Sequence, residues 1–282
     1  MTYGWAILII AVVLASLFQL GVFNSSSFSP RAPPGACQVF RPSGPGTVTN
    51  INLMGVCTGQ LPQYVSVFSG QTSYVNSGNS AFLNPTSALS ISAWVMLNTT
   101  GVFQGVVARD NGVWVDTSYS LDFGNDNKLD FRVSSTGAWT SYALNDVIST
   151  NTFSSSNWYH VAATYQYVTS GTSVGNVYVN GLLEKTNTGL TGPLLINTRN
   201  LRLGSYGLSY YLTGKLANAQ VYNASLTANQ VQALYLEGIG GVPLKLQNLV
   251  GWWPLNGNSN DYSGNNNNGV PANVVFTSQY GK

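Results

Sequence analysis

Trp158-Tyr159-His160-Val161-Ala162-Ala163-Thr164-Tyr165, followed shortly by Tyr178-Val179-Asn180-Gly181, carries the reading of the fold. Aromatic and β-branched residues fill the first run, as a half-buried strand requires. In the second, Asn180-Gly181 supplies the positive φ angles of a type I′ turn, so Val177–Leu183 reads as a hairpin. Outward from there the same period of two recurs. Leu89, Ile91, Ala93, Val95 and Leu97 fall on one face of Leu89–Leu97, and Tyr64–Phe68 alternates before resuming at Ser73–Val75. Further short runs lie at Gly105–Ala108, Ser118–Phe123, Lys128–Val133, Leu201–Leu203 and Lys215–Tyr222. Turn residues separate them at short intervals, which implies a mainly β chain folded as an antiparallel β-sandwich or jelly roll. One short helix interrupts the pattern: Thr227 and Gln230 fit a capping box, Val231, Leu234 and Tyr235 share a face, and Gly238 ends it.

Composition narrows the function. Only 7% of the 282 residues are charged, while 44% are hydrophobic and 12% aromatic. Disorder needs the opposite balance, so the gap left by charge is filled by a neutral polar surface over a real core. A net charge of +2 leaves no electrostatic footprint for nucleic acid. Nine acids, two cysteines and the single His160 make most catalytic constellations impossible to assemble, and there is no phosphate-binding glycine loop. His160 lies inside an alternating strand with no acid nearby in sequence, which suits a structural role. Glycoside hydrolysis uses paired carboxylates about 5–10 Å apart. Glu184 follows a hairpin turn, Glu237 ends the helix, and the grouping of Asp122, Asp126 and Asp130 surrounds a turn at Gly124–Asn127. The expectation is a protein that is not an enzyme.

The N-terminus is apolar. Over Trp5–Phe23 the only polar members are Ser16 and Gln19. At 1.5 Å per residue this run spans about 28 Å as a helix, close to the bilayer hydrocarbon thickness. Residues 1–24 are therefore expected to form a membrane-compatible hydrophobic helix. Residues 25–62 are rich in Pro, Gly and Ser and read as an extended stalk. Cys37 and Cys57 lie within it, where a disulfide competes with two buried thiols as the reading; by chain entropy the loop closure is worth roughly 3 kcal/mol. Sequons at Asn24, Asn98 and Asn223 are candidate glycosylation sites. Disulfide and sequons both point to an oxidising exterior.

Taken in order, Tyr64–Phe68 with Tyr74-Val75, Ile91–Val95, Trp158–Tyr165, Tyr178–Gly181 and Gly214–Leu216 through Val221-Tyr222 resemble the laminin-G-like, concanavalin A-like lectin/glucanase superfamily. The resemblance implies two packed antiparallel sheets over residues 63–238. The acidic Glu-x-Asp-x-x-Glu motif of its glucanase branch has no counterpart here. The opening Met1–Leu14 is similar to the helix of archaeal type IV pilin-like surface proteins, although the basic leader and early acidic residue of that family do not appear in this chain.

Residues 239–282 contain Leu249–Leu255, an apolar strand with Trp252 and Trp253, followed by an Asn-rich loop. An unpaired edge bearing two indoles is unfavourable, so the segment is expected to complete the sandwich of its own chain. Pairing with a neighbour and a truncated second domain are the alternatives. Asp261 and Asn265 in the loop offer hard oxygens that suit Ca²⁺, against a plain hydrogen-bonded turn. The functional expectation is a cell-surface, membrane- or pilus-anchored adhesion module binding glycans or protein partners. Its counterpart is a homo-oligomeric filament subunit coated by the sandwich. Trp114, Trp139, Tyr206, Tyr210 and Tyr211 are candidate sugar platforms.

Overall fold

The computed structural model describes residues 9–16, 31–110, 116–137 and 145–278. In chain order, β1 (Arg31–Ala32), β2 (Cys37–Phe40), β3 (Asn52–Gly55) and β4 (Leu61–Pro62) come first. β5 (Val65–Ser69), β6 (Tyr74–Asn76), β7 (Ala88–Leu97), β8 (Gln104–Arg109), β9 (Tyr119–Phe123), β10 (Lys128–Val133) and β11 (Asp146–Thr152) follow. Then come β12 (Trp158–Gln166), β13 (Ser173–Val179), β14 (Leu182–Leu190), β15 (Leu201–Leu203), β16 (Ser205–Tyr206), β17 (Tyr210–Tyr211) and β18 (Thr213–Tyr222). Helix α1 (Ala228–Glu237) precedes β19 (Leu249–Trp253), β20 (Val270–Ala272) and β21 (Val275–Thr277).

Two antiparallel sheets form a sandwich. One runs β11-β10-β9-β8-β15-β6-β20; the other runs β14-β13-β12-β7-β18-β5-β21, with β19 alongside β18 beyond the end of β5. Strand alternation explains what lies between them. Leu89, Ile91, Ala93, Val95 and Leu97 of β7 are fully buried against Leu121 and Phe123 of β9 and Leu129, Phe131 and Val133 of β10. The hairpin of β13 and β14 turns through Asn180 and Gly181, both at positive φ. The C-terminal segment closes the structure within the chain: β19 pairs with β18, and Trp253 is fully buried with its Nε1 donating to the Asn267 carbonyl at 3.0 Å.

The two edges of the sandwich are closed differently. At one, β20 adds to β6 and β21 to β5, so residues 273 and 274 carry the backbone straight from one sheet to the other. At the other, β11 faces β14 through side chains: Asn151 Nδ2 donates to Glu184 Oε1 at 2.8 Å, and Asn187 Nδ2 to the Asp146 carbonyl at 3.1 Å.

A second apolar cluster covers the back of the sheet that contains β12. Val231 and Leu234 of α1 pack there with Tyr178, Tyr222, Leu249 and Trp252. The helix starts at a complete capping box of Thr227 and Gln230 and ends at Gly238. His160 sits under it, 1% exposed, with Nε2 at 2.9 Å from Ser92 Oγ and its ring 5.5 Å from Trp94 and 5.9 Å from Tyr235. Burial pulls its pKa down to about 4, so the imidazole is neutral packing material.

One expectation changes, and another falls mostly outside the described residues. The stretch read as an extended stalk is, from Arg31 onward, folded onto the sandwich. β2 and β3 form an antiparallel hairpin, and Val39, Ile51 and Leu53 join the second cluster. Arg41 pins it, donating to the carbonyls of Ser263, Thr47, Leu246 and Leu249. A Pro/Gly-rich composition masked enough apolar side chains to dock. Of the apolar run Trp5–Phe23, residues 9–16 are helical and the remainder lies outside the described residues. Among the described residues no helix is long and apolar enough to cross a membrane.

Candidate functional site

Alternation in β9 and β10 sends every second residue to the face away from the core. Ser120 and Asp122 therefore share that outer face with Asp130 and Arg132, since Asp122 lies opposite Asp130 and Ser120 opposite Arg132. Register adds Asp146 of β11 opposite Arg132, and places Arg202 of β15 opposite Asn76 of β6 further across the same sheet.

A small hairpin is laid over this face. β16 and β17 pair antiparallel, Ser205 with Tyr211 and Tyr206 with Tyr210. It leaves β15 through Gly204, which adopts φ 77° and donates its N–H to the Val106 carbonyl. Gly105 lets it seat, because a Cβ there would meet the Ser205 carbonyl carbon and the Tyr206 nitrogen at 2.2 Å. The hairpin thereby gathers aromatic rings from distant parts of the chain. Tyr210 lies 5.5 Å from Phe103 and 6.0 Å from Tyr206, and Tyr211 lies 6.3 Å from Tyr74. Tyr206 is buried with its hydroxyl 3.3 Å from Thr117 Oγ1, whereas Tyr210 and Tyr211 are half-buried and Leu208 at the tip is exposed.

On one side of the hairpin lies a charge cluster. Arg132 pairs with Asp122 at 2.9 Å, with Asp130, and with Asp146 at 3.8 Å, and its guanidinium lies 6.0 Å from both the Phe103 and Tyr206 rings. All four charged side chains are buried. Three carboxylates around one cation leave an excess of negative charge. Burial pushes all three carboxyl pKa values up, Asp130 well above its usual range and Asp146 to about 7, and the neighbouring carboxylates add to the rise at both. Burial opposes the charge on Arg132, but the three acids hold it charged. This cluster is a buried support for the rings above it, since none of its groups reaches open solvent.

On the other side lies a polar cavity of about 200 Å³ lined by Asp110, Thr198, Arg199, Asn200, Arg202 and Leu208. Arg202 stands over the Tyr74 ring at 5.5 Å. Together the hairpin and the cavity offer ring faces, donors and acceptors in one place, the chemistry of a polyhydroxylated ligand.

The residues singled out from sequence are distributed as follows. Tyr206, Tyr210 and Tyr211 converge; Trp114, Trp139 and Asn24 lie outside the described residues. Asn98 and Asn223 are exposed. Cys37 and Cys57 form a disulfide with Cα atoms 4.9 Å apart. Asp261 and Asn265 share a loop but turn inward. The Asp261 carboxylate accepts from the N–H groups of Trp252, Ser263 and Asn267 and from Ser263 Oγ at 2.8–3.0 Å. Asn265 Oδ1 accepts from the Gly46 N–H, and its amide donates to the Leu249 and Val250 carbonyls. Those oxygens face N–H and O–H donors instead of a cation, and among the described residues no group of three or more His, Cys, Asp or Glu side chains could hold a metal. Sequence reasoning passed over Phe103, Tyr74, Arg132 and Arg202. Alternation in Lys128–Val133 signals that Asp130 and Arg132 share a face, but nothing local signals their neighbours.

The model of the concanavalin A-like lectin/glucanases superfamily matches residues 69–232. No curated protein matches the chain. Among solved structures, a Bacteroides ovatus protein provisionally assigned to carbohydrate binding aligns at TM-score 0.58 and 17% identity, over 80% of this chain and 66% of that one. The heptameric SAP-like pentraxin of Limulus polyphemus aligns at 0.51 and 16%, over 76% and 94%. The sialidase CBM40 module of Ruminococcus gnavus, bound to α2,3-sialyllactose, aligns at 0.51 and 17%, over 62% and 98%.

Proposed function

The chain belongs to the concanavalin A-like lectin/glucanases superfamily, and from that premise we propose that it is a glycan-binding recognition module without hydrolytic activity, displayed at the cell surface. The observation that carries the reading is the tyrosine hairpin on the outer face of the β8-containing sheet, with half-buried Tyr210 and Tyr211 beside a polar cavity. Half-exposed rings bordered by fixed donors and acceptors suit sugars, whose apolar ring faces and hydroxyl rims need both. The carbohydrate-binding structures that share the fold support the same direction. A binding role without hydrolysis is favoured because the nearest paired carboxylates, Asp122 and Asp130, are buried and ion-paired with Arg132. Surface display is favoured by the apolar run Trp5–Phe23, the exposed sequons at Asn98 and Asn223, and the disulfide.

Glycan-array screening of the purified protein tests this. Tyr210→Ala and Tyr211→Ala are expected to weaken the strongest hits at least about tenfold with little change in melting temperature, because neither ring is in the core. Absence of any glycan hit, or full binding by the double variant, refutes the assignment. Membrane fractionation of the full chain tests the anchor: recovery wholly in the soluble fraction counts against it.

A further inference from the structure

We infer that the cavity beside the tyrosine hairpin selects glycans bearing a carboxylate, such as uronic or sialic acid residues, through Arg202 with Arg199. This rests on the glycan-binding reading and specifies the ligand class of the same site.

The arginines are occupied unequally. Arg41 is saturated by backbone carbonyls. Arg109 is fully buried and donates to Asn197 through Nε at 3.1 Å and through Nη2 to its carbonyl at 2.9 Å. Arg132 holds three aspartates. Arg199 uses Nε on Asp116, and its side chain stays 44% exposed at the cavity wall. Arg202 differs. It lies over the Tyr74 ring in the cavity wall, and among the described residues no carboxylate pairs with it.

Arg202 is half-buried and lines the cavity together with Arg199, so guanidinium N–H groups border the space a ligand would fill. Guanidinium presents a planar fork of N–H groups that matches a carboxylate with two parallel hydrogen bonds. The Tyr74 ring under Arg202 fixes the plane of that fork, so less freedom is lost when it closes on an anion. Asn200 in the same wall provides an acceptor for ring hydroxyls, and Tyr211 beside Tyr74 provides an apolar face. At about 200 Å³ the cavity is below the size of a drug-sized pocket. It suits one sugar residue, with the rest of a chain running over the hairpin.

The test is a glycan array carrying neutral glycans and their carboxylated counterparts, followed by calorimetry with the best carboxylated hit and its carboxyl-reduced form. The expected result is that carboxylated glycans dominate the hits and bind at least about tenfold more tightly than their reduced forms. Arg202→Gln is expected to erase that preference while residual binding of the reduced form persists. Arg202→Lys keeps the charge without the fork and is expected to retain only part of the preference. Equal affinity for the two forms, or a preference unchanged in both Arg202 variants, overturns the inference and leaves glycan binding standing. Absence of hits in either class overturns both.

Discussion

Gly105→Ala isolates the seating of the tyrosine hairpin from the rest of the fold. The added Cβ would lie 2.2 Å from the Ser205 carbonyl carbon and from the Tyr206 nitrogen, and 2.7 Å from the Ser205 oxygen. Unstrained contacts between such atoms need about 3.5 Å, so the hairpin backbone must lift by roughly 1.3 Å. Overpacking of this kind costs typically about 1–3 kcal/mol. The upper end applies here, because the opposing atoms are backbone and cannot swing aside. For a domain of this size each kcal/mol lowers the melting temperature by roughly 2–4 °C, giving an expected loss of about 6–12 °C. Glycan binding should fall further than stability suggests, because Tyr206 and Tyr210 would leave their positions beside Phe103 and Arg132. The control is Gly189→Ala, where the nearest atom is Asn187 Oδ1 at 3.6 Å and the change should stay within about 0.5 kcal/mol. Scanning calorimetry and glycan titration on both variants decide the matter. A Gly105→Ala protein that melts with the wild type and binds normally would show that the hairpin does not rest on β8.

Other consequences can be measured independently. The folded state alone keeps the Asp146 proton between about pH 4 and its raised pKa of about 7, so that stability is full below the window and declines as pH rises through it. At about 1.4 kcal/mol per pH unit the window amounts to at most roughly 4 kcal/mol; urea midpoints at pH 6 and 8 should differ in the wild type and differ less in Asp146→Asn, where the raised Asp122 and Asp130 remain. His160, held near 4, acts in the opposite direction: its contribution is present above about pH 6.5 and drains away as pH falls through 4. His160→Gln should flatten the acid limb, and a ring that titrates near 6.5 by NMR would contradict its burial. Trp253→Ala removes a fully buried indole and should cost about 3–5 kcal/mol, seen as a lowered denaturant midpoint. Asp261→Ala strips four donors of their acceptor and should cost about 3 kcal/mol or more. Calcium that raised the wild-type melting temperature but not that of the variant would reverse this reading of the loop.

The architecture was legible because burial and strand period coincide. In β7 the residues on the inward face are the apolar ones, and Asn180-Gly181 marks its hairpin by chemistry that few other dipeptides can supply. The site was less legible, for reasons of topology. Phe103 and Tyr210 meet only because β15 returns to pair with β8 across nearly a hundred residues of intervening chain, as Leu203 opposite Val107 attests. Asp122 and Asp130 stand near each other in sequence, but their meeting at Arg132 depends on cross-strand register, and Asp146 joins from a strand whose outer half is polar. For Asp261 the residue type suits a cation and an N–H donor equally, and only the backbone direction at Trp252 and Asn267 distinguishes them. The Arg31–Gly59 stretch misled by composition: a handful of apolar residues among prolines and glycines sufficed for docking.

The unequal closure of the two edges sets where this sandwich breathes. On the β20–β21 side the two layers share a covalent spine at residues 273 and 274, whereas on the β11–β14 side they are latched by side-chain hydrogen bonds that water can replace. Thermal opening therefore proceeds like a book, and the first page to lift is β11, which carries Asp146. Amide exchange should run fastest along that margin. A proton held by the carboxylates around Arg132 would then act as a bookmark, tightening the free margin of the molecule from beneath the tyrosine hairpin.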